Sequence, residues 1–224
     1  MKYILLLCFL TSLSFSQAKA LAIVIKAKGS VTIETNGKQK KVKRGTRIYH
    51  DDLIKTKKKS YVAMRFLDDK SLVRVRQNSA FKVRGKREGN TIAKSIDMEI
   101  GNIFASITKQ KSKFRVSTPT SVASVKGTVF ECLYDPVTGD HITATYEGLV
   151  GVNIKGKEVD AAAGNIVIAK KDGTFETEKL NESNKKKFGI NPIGDDDAKA
   201  GDEIEIDFKG SEGTKKLKIK VIDN

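Results

Sequence analysis

The chain has 224 residues, with 42 Lys+Arg against 27 Asp+Glu for a formal net charge of +15; 39% of it is hydrophobic, with 3 Pro and no Trp. That apolar content excludes a disordered chain, and the length suits one or at most two domains. The charge is uneven: residues 21–130 hold 26 basic and 8 acidic side chains, a net of +18, whereas residues 131–224 hold 14 basic and 19 acidic, a net of −5.

Residues 1–20 read as a secretory signal. Lys2 supplies the positive start, Ile4 to Leu10 is an unbroken apolar run, and Ala18-Lys19-Ala20 places small residues where a signal peptidase reads. Cleavage after Ala20 is the expectation, and with it a periplasmic or secreted location. An uncleaved anchor is the rival, but Thr11, Ser12 and Ser14 interrupt a stretch already shorter than the roughly 20 residues that span a bilayer. The mature chain is expected to carry no transmembrane helix. Removing the signal also removes Cys8, so Cys132 stands alone in the apolar run Val129 to Leu133 and reads as a small buried residue.

From there the apolar residues alternate with period two, as half-buried strands do. Val31/Ile33, Val62/Met64/Phe66, Val73/Val75, Phe81/Val83, Phe114/Val116 and Ile166/Ile168 are the clearest sets, and turn signals such as Asn36-Gly37, Gly101, Pro119, Gly127 and Asp172-Gly173 separate them. The expected fold is all-β, a short solenoid-like or sandwich-like stack of short strands over residues 21–180. Residues 181–224 read as a short helix, an acidic linker and a C-terminal hairpin. Asn181 caps the helix, Glu182 to Phe188 form it and Gly189 ends it; Asp195-Asp196-Asp197 is a solvated linker; Ile204/Ile206/Phe208 and Leu217/Ile219/Val221 flank the turn at 210–213.

Catalytic signals are sparse. His50 and His141 have no metal-ligand companion nearby and both read as solvated turn residues. Gly151 to Lys157 has the glycine and lysine spacing of a phosphate-binding loop, but Glu158 stands at the magnesium-contacting position and no helix follows, so a hairpin turn is expected. No catalytic residue, cofactor or metal is expected, and an enzyme is disfavoured.

The basic half offers more. If Val73, Val75, Phe81, Val83, Phe114 and Val116 face a core, strand parity turns Arg74, Arg76, Lys82, Arg84, Lys113 and Arg115 outward. Were their strands neighbours, these side chains would form a basic ribbon for a polyanion or partner. In an exported protein the acceptor is an envelope protein or an acidic glycan or lipid. Nucleic acid is not expected, because few aromatics lie among the basic runs to stack bases.

One stretch goes beyond generic β sequence. FRVSTPTSVASVKGTVF over residues 114–130 resembles the hallmark of the FecR domain, the periplasmic module of iron-transport signalling regulators, with the pattern F-x-V-x-T-P-x-x-x-A-x-x-R/K-G-T-x-F. Phe114, Thr118, Pro119, Ala123, Lys126, Gly127, Thr128 and Phe130 occupy its fixed positions, and the resemblance extends over about residues 22–170. The roles expected of these residues are structural: Pro119 bends the chain at a sheet edge, Ala123 allows close packing, Gly127 takes a bulge or positive dihedral and Thr128 bonds back to a turn. Two turns depart from the family. Asp69-Lys70-Ser71 stands for Asp-Gly-Ser, and Asp51-Asp52 for Gly-Asp, so both are expected to be reshaped.

The resemblance, the expected signal peptide and the lack of a catalytic constellation together point to an exported, non-enzymatic binding or scaffold module of the cell envelope, acting through sheet edges and the basic face. The alternative is a soluble periplasmic sensor in iron-transport-type signalling. A third reading, an enzyme on acidic polysaccharide, requires Asp51, Asp52, Asp68 and Asp69 to converge on one cleft.

Overall fold

The computed structural model describes residues 19–88, 91–109, 114–190, 203–210 and 213–220; the expected signal core and the acidic linker at 195–197 lie outside them. Seventeen strands alternate between two sheets. They are β1 (Ala22–Lys28), β2 (Val31–Thr35), β3 (Lys38–Lys41), β4 (Arg47–Ile48), β5 (Asp52–Thr56), β6 (Tyr61–Phe66), β7 (Leu72–Val75), β8 (Ser79–Glu88), β9 (Thr91–Ser106), β10 (Phe114–Ser117), β11 (Ser121–Val125), β12 (Val129–Tyr134), β13 (His141–Glu147), β14 (Leu149–Ile154), β15 (Lys157–Ala162), β16 (Asn165–Ala169) and β17 (Phe175–Lys179).

Sheet 1 runs β4-β1-β6-β7-β9-β12-β13-β16-β17. Sheet 2 runs β3-β2-β5-β8-β9-β10-β11-β14-β15. All pairings are antiparallel except β9 with β10. The chain therefore zigzags between two layers while advancing in one direction, which realises the expected stack as an open sandwich. Parity does the rest. Val62, Met64, Phe66, Val73 and Val75 of sheet 1 face Phe81, Val83, Ile96, Phe114 and Val116 of sheet 2, all at most 1% exposed. The Phe66 and Phe114 rings meet edge to face, 5.9 Å apart, across the interior.

β9 ties the layers together. Its first half pairs with β8 and β10 in sheet 2, and its second half with β7 and β12 in sheet 1. The crossing is at Gly101, with φ +117, where a Cβ would stand 2.1 Å from Ser79 Oγ. Only glycine fits both the dihedral and the space.

The hallmark residues build the next crossing. Phe114, Ala123 and Phe130 are buried in the interior. Thr118 Oγ1 accepts from the Ser121 backbone N–H at 3.1 Å and closes the β10–β11 turn. Pro119 sits in that turn, between strands well inside sheet 2 rather than at the expected edge, because a hairpin turn, like an edge, needs no ladder donor. Gly127 has φ +147 with Lys109 Cα 2.9 Å from where a Cβ would be, and Thr128 Oγ1 donates to the Leu149 carbonyl at 3.2 Å. Lys126 is exposed.

The two departing turns are both left-handed. Asp51 has φ +64 and Lys70 φ +63, so two non-glycine residues hold the left-handed conformation that glycine adopts freely. Local bonds enforce it: Asp69 Oδ1 accepts from Ser71 N–H at 2.9 Å, and Asp52 Oδ2 from Tyr49 N–H at 2.7 Å.

Helix α1 (Glu182–Phe188) matches the expected element. Asn181 Oδ1 accepts from Asn184 N–H at 2.8 Å, and left-handed Gly189 precedes an Ile190 N–H that donates to the Lys185 carbonyl. Leu180, Phe188 and Ile190 carry the helix onto the outer face of sheet 1, against Ala144, Ile166 and Ile168. Strands β18 (Glu203–Gly210) and β19 (Gly213–Lys220) pair as the expected hairpin, with Ile204 opposite Ile219 and Ile206 opposite Leu217. Gly151 to Lys157 is likewise a hairpin, turning at Lys155 and Gly156 with φ +51 and +81.

Candidate functional site

The expected basic ribbon divides between opposite faces. Arg74 follows β7 to the outside of sheet 1, and Arg76 continues that strand; Lys82, Arg84 and Arg115 lie on β8 and β10 and face outward from sheet 2. Lys113 lies outside the described residues. Arg74, Arg76, Lys82, Arg84 and Arg115 all lie outward as parity requires, but the corner at Asn78-Ser79 sends consecutive strands into different layers, so one ribbon cannot form. Arg84 and Arg115 do share a row, both opposite Ser95. Arg84 is already engaged, its Nε 3.0 Å from both Asp51 Oδ1 and Asp97 Oδ2.

The four carboxylates named for polysaccharide chemistry do not converge. Asp52 is buried and accepts from Thr35 Oγ1 at 2.5 Å, while Asp51 is exposed beside His50 and Arg84. Asp68 and Asp69 instead hold Lys94, whose side chain is fully buried, with Lys94 Nζ 3.0 Å from Asp68 Oδ2 and 5.1 Å from the Phe66 ring centroid. Each pair is a local structural device, and none lines a common cleft.

His141 is not the solvated turn residue expected. It opens β13 with no exposed surface; its Nδ1 lies 2.5 Å from Ser121 Oγ and its Nε2 3.2 Å from Cys132 Sγ. His50 is exposed on its turn, as expected. The Ser121–His141–Cys132 chain resembles a nucleophile with its base, yet burial opposes that chemistry. Desolvation pushes the Cys132 thiol up to about 12 and lowers His141 to about 4, so both are neutral at pH 7.

What sheet 1 does present is a cleft of about 660 Å³, between α1, the β7–β8 corner and the β12–β13 turn. Leu133, Ile142, Ile168 and Phe188 form an apolar floor and wall, and Arg76 and Asn102 close one end. Beneath them Glu131, with no exposed surface, accepts from Asn102 Nδ2 at 2.7 Å and from the Tyr146 hydroxyl at 3.2 Å. Arg76 Nε stands 3.6 Å from Glu131 Oε1, too far for a hydrogen bond. Burial, then the Glu131 charge, pushes the Tyr146 hydroxyl well above its ordinary range, so it stays protonated and donates. Sequence reasoning reached Arg76 but not Asn102, Glu131 or Tyr146. An acidic residue inside the apolar run Val129 to Leu133 was the available signal.

Among known proteins, the family model described as FecR protein matches residues 52–151, from β5 into β14. No curated protein matches the chain. A crystal structure at 2.50 Å of a candidate anti-sigma factor from Parabacteroides distasonis ATCC 8503 shares the fold, with a TM-score of 0.50 and 16% identity, over 57% of this chain and 59% of that one. A second structure of such a protein from the same organism, at 1.65 Å, gives a TM-score of 0.48 and 15% identity over the same shares. The chain thus spans less than two thirds of either relative's length. Among the described residues, no helix is long and apolar enough to cross a membrane.

Proposed function

We propose that this chain, whose residues 52–151 match the FecR family model, is an exported, non-catalytic binding module of the cell envelope with a regulatory role in signalling. Its partner is a protein engaged over the α1 side of sheet 1. The observation that carries the reading is the cleft, where a buried and incompletely paired polar cluster reaches the surface beside an apolar floor. Neutral, buried Cys132 and His141 and the four dispersed carboxylates support a binding role over a catalytic one. The family match and the anti-sigma description of a protein sharing the fold support the signalling role.

The reading is tested by photo-crosslinking in intact cells, with the full chain carrying the crosslinker at Gln77, on the cleft rim, or at Ser124, on the outside of sheet 2. A discrete protein adduct from position 77 and none from position 124 is the expected result. Adducts to glycan alone, or none at either position, would overturn it.

A further inference from the structure

The chemistry of the cleft specifies what it takes, given the reading that it engages a protein. Asn102 is 8% exposed, and its amide orientation is fixed because a carboxylate can only accept: Nδ2 must face Glu131, which leaves Oδ1 as a buried acceptor without a partner at the cleft. Arg76 Nε is a buried donor without a hydrogen bond, its ion-pair partner Glu131 Oε1 standing 3.6 Å away. Arg76 and Asn102 are neighbours, the Arg76 backbone N–H donating to the Asn102 carbonyl, and such a donor and acceptor complement one residue of an extended segment, whose own carbonyl and N–H point to the same side.

Charge narrows the class further. Each cation at the cleft has a carboxylate: Arg76 has Glu131, Lys170 has Glu176 and Lys187 has Glu178. Asp135 and Asp140 add negative charge at the rim. A polyanion meets no net attraction there and would face carboxylates. Leu133, Ile142, Ile168 and Phe188 offer a surface to one apolar side chain.

We propose that the cleft seats a short uncharged segment of a partner polypeptide. One residue of that segment, held extended, donates its N–H to Asn102 Oδ1 and accepts at its carbonyl from the Arg76 guanidinium, and an adjacent apolar side chain lies on the Leu133–Ile142–Ile168 floor. The volume falls within the roughly 300–1,000 Å³ of small-ligand sites, enough for a few residues and too little for a folded domain.

The test pans a random heptapeptide phage library against the chain from residue 21 to 224 and measures the selected peptides, fluorescently labelled, by anisotropy. Two variants accompany it: Asn102→Leu, which removes the acceptor, and Thr138→Trp on the exposed rim, which blocks the mouth without touching the sheet. Enriched peptides with one large apolar residue among uncharged ones, binding the native chain at least about tenfold tighter than either folded variant and undisturbed by excess heparin, are expected. No enrichment, equal binding to all three chains, or displacement by heparin would overturn the assignment. Failure here is distinguishable from failure of the broader reading. A cellular protein adduct that persists in the Thr138→Trp chain removes the cleft and keeps the protein partner, whereas no adduct from the native chain removes both.

Discussion

Ser121 Oγ and His141 Nδ1 meet at 2.5 Å inside the sandwich, Ser121 on β11 of sheet 2 and His141 on β13 of sheet 1. The bond stitches the two layers through a side chain with no exposed surface, and the other ring nitrogen is held by Cys132. No charged group is bonded to the ring, so protonation inside would have no counter-charge.

Stability should therefore fall with acid. Folded, the imidazole titrates near 4; unfolded, near its ordinary 6.5. Between those values the unfolded chain binds more protons, so the native state is fully favoured above pH 6.5 and loses about 1.4 kcal/mol per pH unit below it, up to about 3 kcal/mol in all. The urea midpoint should drop between pH 7 and pH 5, before most carboxylates titrate, and His141→Gln should flatten that drop. An equal midpoint at both pH values would refute a buried neutral imidazole.

The neighbouring thiol gives an independent reading of the same site. Burial holds Cys132 as a thiol up to about pH 12. Alkylation of the chain from residue 21 by iodoacetamide at pH 8 should be negligible in the native state and rapid in denaturing urea. Fast labelling of the native protein would reopen a nucleophilic role.

The sequence makes local features legible and long-range ones not. Asn181, Gly189 and the residues between them specify α1 by capping alone, and the alternation of Val62, Met64 and Phe66 sets which side of a strand is buried. Layer assignment has no such local mark. Arg74 and Lys82 are eight residues apart and outward by the same parity, yet they point from opposite faces because β7 and β8 join different sheets. His141 looked solvated because Gly139-Asp140 precedes it; its burial comes from Ser121, twenty positions away. The cleft likewise gathers Arg76, Asn102, Leu133 and Phe188 from segments whose approach only the topology decides.

Lys94 should prove costly to truncate. Its fully buried ammonium sits between Asp68 and Asp69, each largely buried, at the end of the interior. Lys94→Met leaves two carboxylates facing each other without a cation, a loss of about 3–5 kcal/mol. Adding Asp68→Asn and Asp69→Asn removes the uncompensated charge and should recover a measurable part. Urea unfolding of the three chains decides it, and a neutral Lys94→Met would show the cluster to be energetically idle.

The left-handed turns predict a change in the opposite direction. Lys70 holds φ +63 at an exposed position, and the bond from Ser71 N–H to Asp69 that shapes the turn involves no Lys70 side-chain atom. A non-glycine residue in that region costs about 1–2 kcal/mol, while glycine gives back about 0.5–1 kcal/mol through its freer unfolded chain. Lys70→Gly should thus stabilise the protein by a few tenths to about 1 kcal/mol. Asp51 is the poorer test despite a similar φ of +64, because its carboxylate also meets Arg84 and His50, and that loss would offset the relief. A raised urea midpoint for Lys70→Gly with an unchanged slope is the expected outcome. A lowered midpoint would mean that the turn is held by the lysine rather than in spite of it.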